Sequence, residues 1–226
     1  KKIYQVILDK PLAEEDRQSH LTFLSTPNLE PETYPSFLHM RGWDSFGIAL
    51  KIADEFYTKH GLPVENDKER ADVDPYELRT VADIPEERWY MQAGKQTAQF
   101  NFDREPRFYA DLGFDACLWF GPNMSNPTPD DLYKINRTSL TANTPWITGY
   151  MCKKWSKYNT RVMSNTTYSI SPWIWPNIRL ADLYLLYAEA INEAEGPNGA
   201  HSEDLFNYLD AVRARAGIPG VKEAWD

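Results

Sequence analysis

From residue 178 to residue 217, apolar side chains recur every three or four residues in two runs, broken once at Gly196-Pro197. Such a pattern specifies two amphipathic helices joined by a short turn, an αα-hairpin. The first stripe is Leu180, Leu183, Tyr184, Tyr187, Ile191 and Ala194, with Asn177 placed to cap the first turn. Pro197 cannot supply the next backbone donor, so the helix ends there. The second run has Ser202 as its cap and Glu203 and Asp204 in the first turn, where the helix dipole favours anions. Its stripe is Leu205, Phe206, Leu209 and Val212, and Gly217 and Pro219 close it. Arg213 and Arg215 fall in the last turn, where they can satisfy the final helix carbonyls. At roughly 40 residues the unit has the size of a tetratricopeptide-like repeat, and one hairpin cannot bury its own apolar face alone.

The remainder predicts a mainly α chain with a small β element and long irregular loops. Sixteen prolines account for the irregularity. A short helix is expected near Ala13–Leu24 and another from Ser45 to Lys59, ended by Gly61-Leu62-Pro63. Residues 64–79 read as an acidic loop, and Asp83 to Gly94 as a short helix entered at Pro85. Arg107 to Leu112 and Phe114 to Phe120 are aromatic-rich and predict two strands around Gly113. Residues 121–130 read as a loop, and Gly149 to Trp155 as a third strand.

Composition removes several functions. With a net charge of −9 and no basic stripe, the chain is a poor match for nucleic acid or an anionic lipid surface. The four histidines, His20, His39, His60 and His201, lack metal-ligand spacing to one another. The acidic run Glu65 to Asp74 lacks the spacing of a calcium loop and reads as a solvated loop. No nucleophile elbow or phosphate loop is present, and no cofactor is implied. Cys117 and Cys152 read as two buried thiols, with a disulfide between strands as the alternative. The chain opens at Lys1-Lys2-Ile3 and stops at Trp225-Asp226, and reads as an internal piece of a longer one.

Four ordered blocks carry a family resemblance. They are Arg41-Gly-Trp-Asp44 through to Gly61-Leu62-Pro63; Arg104-Glu-Pro-Arg-Phe-Tyr-Ala-Asp-Leu-Gly-Phe-Asp115 with Leu118-Trp-Phe-Gly121; Thr148-Gly-Tyr-Met-Cys-Lys-Lys154; and the hairpin itself. The hairpin block carries Arg179, Ala181, Asp182, Leu185, Ala188, Glu189 and Ala190, then Val212, Arg213, Arg215, Ala216 and Gly217. Together they resemble the SusD/RagB family of outer-membrane nutrient-binding lipoproteins. Asp210 departs from the pattern, which more often has asparagine there. The resemblance implies that residues 1–226 are the C-terminal portion of a single SusD/RagB-like domain. It implies a binder and not an enzyme, held on the outer face of the outer membrane by a lipid anchor outside this segment. The implied partner is a TonB-dependent transporter of the SusC type, and the implied cargo is a glycan. A peptide is the second possibility, and a glycoside hydrolase a third, from a different class.

For a sugar ligand, aromatic side chains beside polar ones are the candidates. A rigid ring covers the C–H face of a sugar while amide, carboxylate or guanidinium groups bond its hydroxyls. Trp43 lies between Arg41 and Asp44, Trp89 and Tyr90 are near Gln92, and Trp119 precedes a loop with Asn123. The competing assignment for each is core packing, since most tryptophans are largely buried. Trp146, Trp155, Trp173 and Trp175 read as structural.

Overall fold

A computed structural model describes residues 48–119, 127–135, 148–153, 161–162, 168–169 and 178–226. The expected helix at Ala13–Leu24 lies outside these residues, as do Arg41, Trp43, Asp44, Asn123, Asn177, Trp146, Trp155, Trp173 and Trp175. The chain is mainly helical with a small β element, as the sequence predicts, and among the described residues the strands pair as short antiparallel ribbons. The described residues divide into two compact units: those within 48–53, 73–102 and 109–173 form the first, and those within 54–72, 103–108 and 178–226 the second.

Helix α1 (Leu50–Asp54) passes from the first unit into the second at Asp54, and the first unit also holds α2 (Pro85–Arg88) and, among the described residues, eight two- or three-residue strands. β1 (Leu78–Thr80) pairs with β2 (Gln96–Ala98), setting Arg79 opposite Thr97. β3 (Leu112–Gly113) pairs with β6 (Met151–Cys152), and β4 (Leu118–Trp119) with β5 (Tyr133–Lys134). β7 (Arg161–Val162) pairs with β8 (Tyr168–Ser169). Strands this short cannot hold a core by ladder bonds alone. The core is therefore a cluster of buried side chains including Val81, Met91, Phe102, Leu112, Phe114 and Cys117. Asn101 ties this cluster together. It donates to Thr97 Oγ1 at 2.8 Å, while its side-chain oxygen accepts from the Tyr150 hydroxyl at 2.6 Å and its carbonyl from the Tyr109 hydroxyl at 2.8 Å. A buried amide with its groups bonded costs little and fixes one arrangement of its neighbours.

Three local expectations are corrected. Residues 106–111 form helix α3 (Pro106–Asp111), not a strand, with Pro106–Phe108 in the second unit and Tyr109–Asp111 in the first. Phe108, Tyr109 and Leu112 are buried while Arg107 and Ala110 face solvent, a helical spacing that the aromatic β-propensity concealed. Of the helix expected over Ser45–Lys59, only Leu50–Asp54 is helical among the described residues, because Thr58 turns away to bridge Arg104. The expected helix at Asp83–Gly94 is four residues long, opened by Pro85 at its first turn.

The hairpin of the second unit follows the sequence closely. α4 (Leu180–Glu195) and α5 (Ser202–Ala216) are joined by a turn and followed by α6 (Val221–Trp225). The Asp182 carboxylate accepts from the Arg179 N–H at 3.0 Å and closes the start of α4. His201, not Ser202, is the flanking residue of α5. Gly217 adopts the left-handed conformation at φ 77° that ends α5. The stripe of α4 divides: Ile191, with Ala188 beside it, packs on Leu205, Phe206 and Leu209, and Tyr184 and Tyr187 set their rings against Tyr208, whereas Leu180, Leu183 and Ala194 are exposed.

Candidate functional site

A cleft of about 320 Å³ opens in the first unit, lined by residues of α2, the turn after it, β4, the Pro129 turn and β5. That volume lies at the small end of ligand sites, which run from about 300 to about 1,000 Å³. Three chain segments make its floor. Met91 bridges Cys117 in antiparallel fashion, the Leu118 N–H donates to the Tyr90 carbonyl at 2.8 Å, and the Ile135 N–H to the Cys117 carbonyl at 3.1 Å. Gln92 locks them side to side, its amide nitrogen donating to the Cys117 carbonyl at 3.2 Å and the Ile135 carbonyl at 2.8 Å. Both N–H groups of Gln92 are thus committed, and its carbonyl oxygen is what it can offer a ligand hydroxyl.

Lys153 supports this floor from inside the fold. Its Nζ donates to the Leu118 carbonyl at 2.8 Å and the Tyr109 carbonyl at 3.0 Å, and burial pushes its pKa down. Burial also pushes the free Cys117 thiol up, which makes it a packing group and not a nucleophile. Cys152 lies in β6 opposite Leu112.

The rim is charged. Arg88 closes α2 and pairs with Asp83 at 3.2 Å and with Asp130 at 3.5 Å. The Arg88 Nε–H is buried without an acceptor among the described residues. Asp130 is placed by the Pro129–Asp131 turn, where Asp131 accepts from the Thr128 hydroxyl at 2.6 Å and the Thr128 N–H at 2.8 Å. Those two hydrogen bonds hold the Asp131 carboxyl below its usual range. Lys95 and Lys134 complete the rim, and both are exposed. No group of three or more His, Cys, Asp or Glu among the described residues is arranged to hold a metal ion.

Of the residues singled out in the sequence, Trp89 follows Arg88 directly and is 47% exposed. Tyr90 stacks on Tyr109 with ring centroids 4.2 Å apart, so one of its faces is already covered. Trp119 stands in β4 opposite Tyr133. Arg41, Trp43, Asp44 and Asn123 lie outside the described residues. The sequence reading missed Asp83, Arg88, Lys95, Asp130 and Lys134, which belong to no motif and converge where the segment after α2, β4 and β5 lie side by side. The adjacency of Arg88 to Trp89 was the one local signal.

In comparisons with known proteins, the structure of selenomethionine BT4246 is similar at 24% identity and TM-score 0.54, covering 77% of this chain and 29% of that one. A structure of BT4246 is similar at 24% identity and TM-score 0.56, covering 80% of this chain and 28% of that one. This likeness bears on the fold, and the chain spans less than a third of the length of those proteins. No curated protein matches. The family model described as the SusD family matches residues 5–226, taking in the ribbons around the cleft as well as the helical hairpin, and the chain belongs to the SusD family.

Proposed function

We propose that this protein captures oligosaccharide at the cell surface and hands it to a SusC-type transporter, binding its cargo without turning it over. The observation that carries this reading is the polar-rimmed cleft in a chain of the SusD family, with the exposed indole of Trp89, itself outside the cleft lining, one residue along the chain from its Arg88. An indole takes the apolar face of a sugar ring, and the amide oxygen of Gln92 with the charged rim addresses the hydroxyls. Anchoring to the outer membrane would come from a lipid outside this segment, and no described helix is long and apolar enough to cross a membrane.

Titration calorimetry of the protein against neutral and acidic polysaccharides and against peptides tests this. Saturable binding of one glycan class with the ligand recovered intact is expected. Trp89→Ala should weaken it by about tenfold, the equivalent of about 1.4 kcal/mol. Cleaved ligand would overturn the binder reading, and binding of peptides alone would move the assignment to a RagB-type peptide binder. Unaltered glycan affinity in the Trp89→Ala protein would remove Trp89 from the site.

A further inference from the structure

The charge of the cleft runs against the charge of the chain. Overall there are 33 acidic and 24 basic side chains, so an average patch carries a surplus of carboxylates. The cleft instead has three cations, Arg88, Lys95 and Lys134, against two carboxylates, Asp83 and Asp130. Both carboxylates are held by the one arginine. Lys95 and Lys134 have no ion-pair partner among the described residues. Arg88 is itself undersatisfied, with a buried Nε–H that meets no acceptor among them.

The two lysines are held on firm backbone. Lys95 follows Gly94, whose φ of 78° makes the turn, and its carbonyl accepts from the Val81 N–H at 2.8 Å. Lys134 lies in β5 directly opposite Leu118 of the cleft floor. Their ammonium groups are therefore displayed from separate ribbons over one floor of Met91, Gln92 and Leu118. An exposed lysine alone is usually a solvated charge. Two of them sharing a concave site with an incompletely satisfied arginine, on an acidic chain, form a local positive potential where a neutral ligand has no need of one.

We infer that the cargo of this cleft is an acidic glycan, whose carboxylate or sulfate groups are met by Lys95 and Lys134. The inference rests on the reading of the cleft as the glycan site. Compact point charges suit both anions, and the protein would distinguish neither by bidentate geometry.

The test titrates the protein with an oligogalacturonide and its carboxyl-reduced counterpart, and with a chondroitin sulfate oligosaccharide and its desulfated form. The expected result is that at least one acidic ligand binds about tenfold or more tighter than the counterpart from which its carboxylate or sulfate has been removed. The K95Q/K134Q double variant should abolish that preference, binding the two members of the pair within about twofold of one another. The preference should also fade from about 0.1 M to about 1 M salt, as the screening length falls from about 10 to about 3 Å. The ligand whose preference is lost identifies the anion as carboxylate or sulfate. Neutral glycans bound as tightly as acidic ones, or a preference that persists in K95Q/K134Q, would overturn the inference and leave oligosaccharide capture standing. Absence of binding to every glycan, neutral or acidic, would overturn both. Both lysines are exposed, so the double variant is expected to keep the thermal unfolding profile of the parent, and that profile serves as its control.

Discussion

At the scale of single residues, Arg213 shows how a side chain can belong to a different part of the fold from the one its sequence neighbours suggest. Its position in the last turn of α5 points to the helix's own carbonyls. The guanidinium instead donates from Nη2 to the Gly61 carbonyl at 2.7 Å and from Nε to the Pro219 carbonyl at 2.7 Å, and lies 5.5 Å from the centre of the Tyr57 ring. Gly61 accommodates it: a Cβ there would sit 2.5 Å from Arg213 Nη2, and its φ of 76° strains any other residue. A lysine has a point donor on a flexible stem and cannot satisfy two carbonyls in the plane of a fork. Arg213→Lys should therefore lower stability by about 1–3 kcal/mol, the cost of a buried carbonyl left unbonded. Urea unfolding measures this, and a loss below about 0.5 kcal/mol would mean that water replaces the fork.

At the scale of elements, the hairpin separates what pattern reading can and cannot give. Both helices begin and end within a few residues of where periodicity and the terminating glycines place them. The stripe of α4 was only half legible, because apolar residues occur on two of its faces and periodicity does not say which one meets α5. Ile191 packs with Ala188 and Leu205, while Leu183 is 51% exposed. Ile191→Ala should cost about 2–4 kcal/mol through lost burial and a residual cavity, and Leu183→Ala less than about 0.5 kcal/mol. Chemical denaturation of both variants decides the matter, and equal losses would contradict the packing of the hairpin described above. Helix α3 was illegible for another reason. Its Phe108 and Tyr109 carry strand propensity, and only the burial of Phe108, Tyr109 and Leu112 on one side reveals a helical turn. The cleft was largely invisible for the same kind of reason, since β4 and β5 are two residues each and no sequence periodicity survives over that length.

At the scale of the whole molecule, several carboxylates set how stability responds to acid. Burial would raise the Asp67 carboxyl, but the hydrogen bonds from His60 and the Glu69 N–H, with the Thr58 hydroxyl nearby, outweigh it and hold it below its ordinary range. Asp131 beside Thr128, Asp182 beside Arg179 and Glu195 beside His201 are held down in the same direction. A carboxyl whose pKa is depressed by folding binds its proton more readily in the unfolded chain. Its contribution is complete above the unfolded value, about 4, and is lost as pH falls through the folded value. The urea midpoint should therefore stay level from about pH 7 to about pH 5 and decline below about pH 4. This decline is distinct from loss of solubility, which should be greatest near the isoelectric point of 5.0, where the net charge vanishes. Asp67 is the buried member of the set, with its carboxylate 2.9 Å from His60 Nδ1 and 3.0 Å from the Glu69 N–H. Asp67→Asn removes a titrating group while keeping an acceptor oxygen, so it should lower the midpoint at pH 7 and make the acid decline shallower. A pH profile that runs parallel to that of the native chain would assign the acid response to the exposed carboxylates instead.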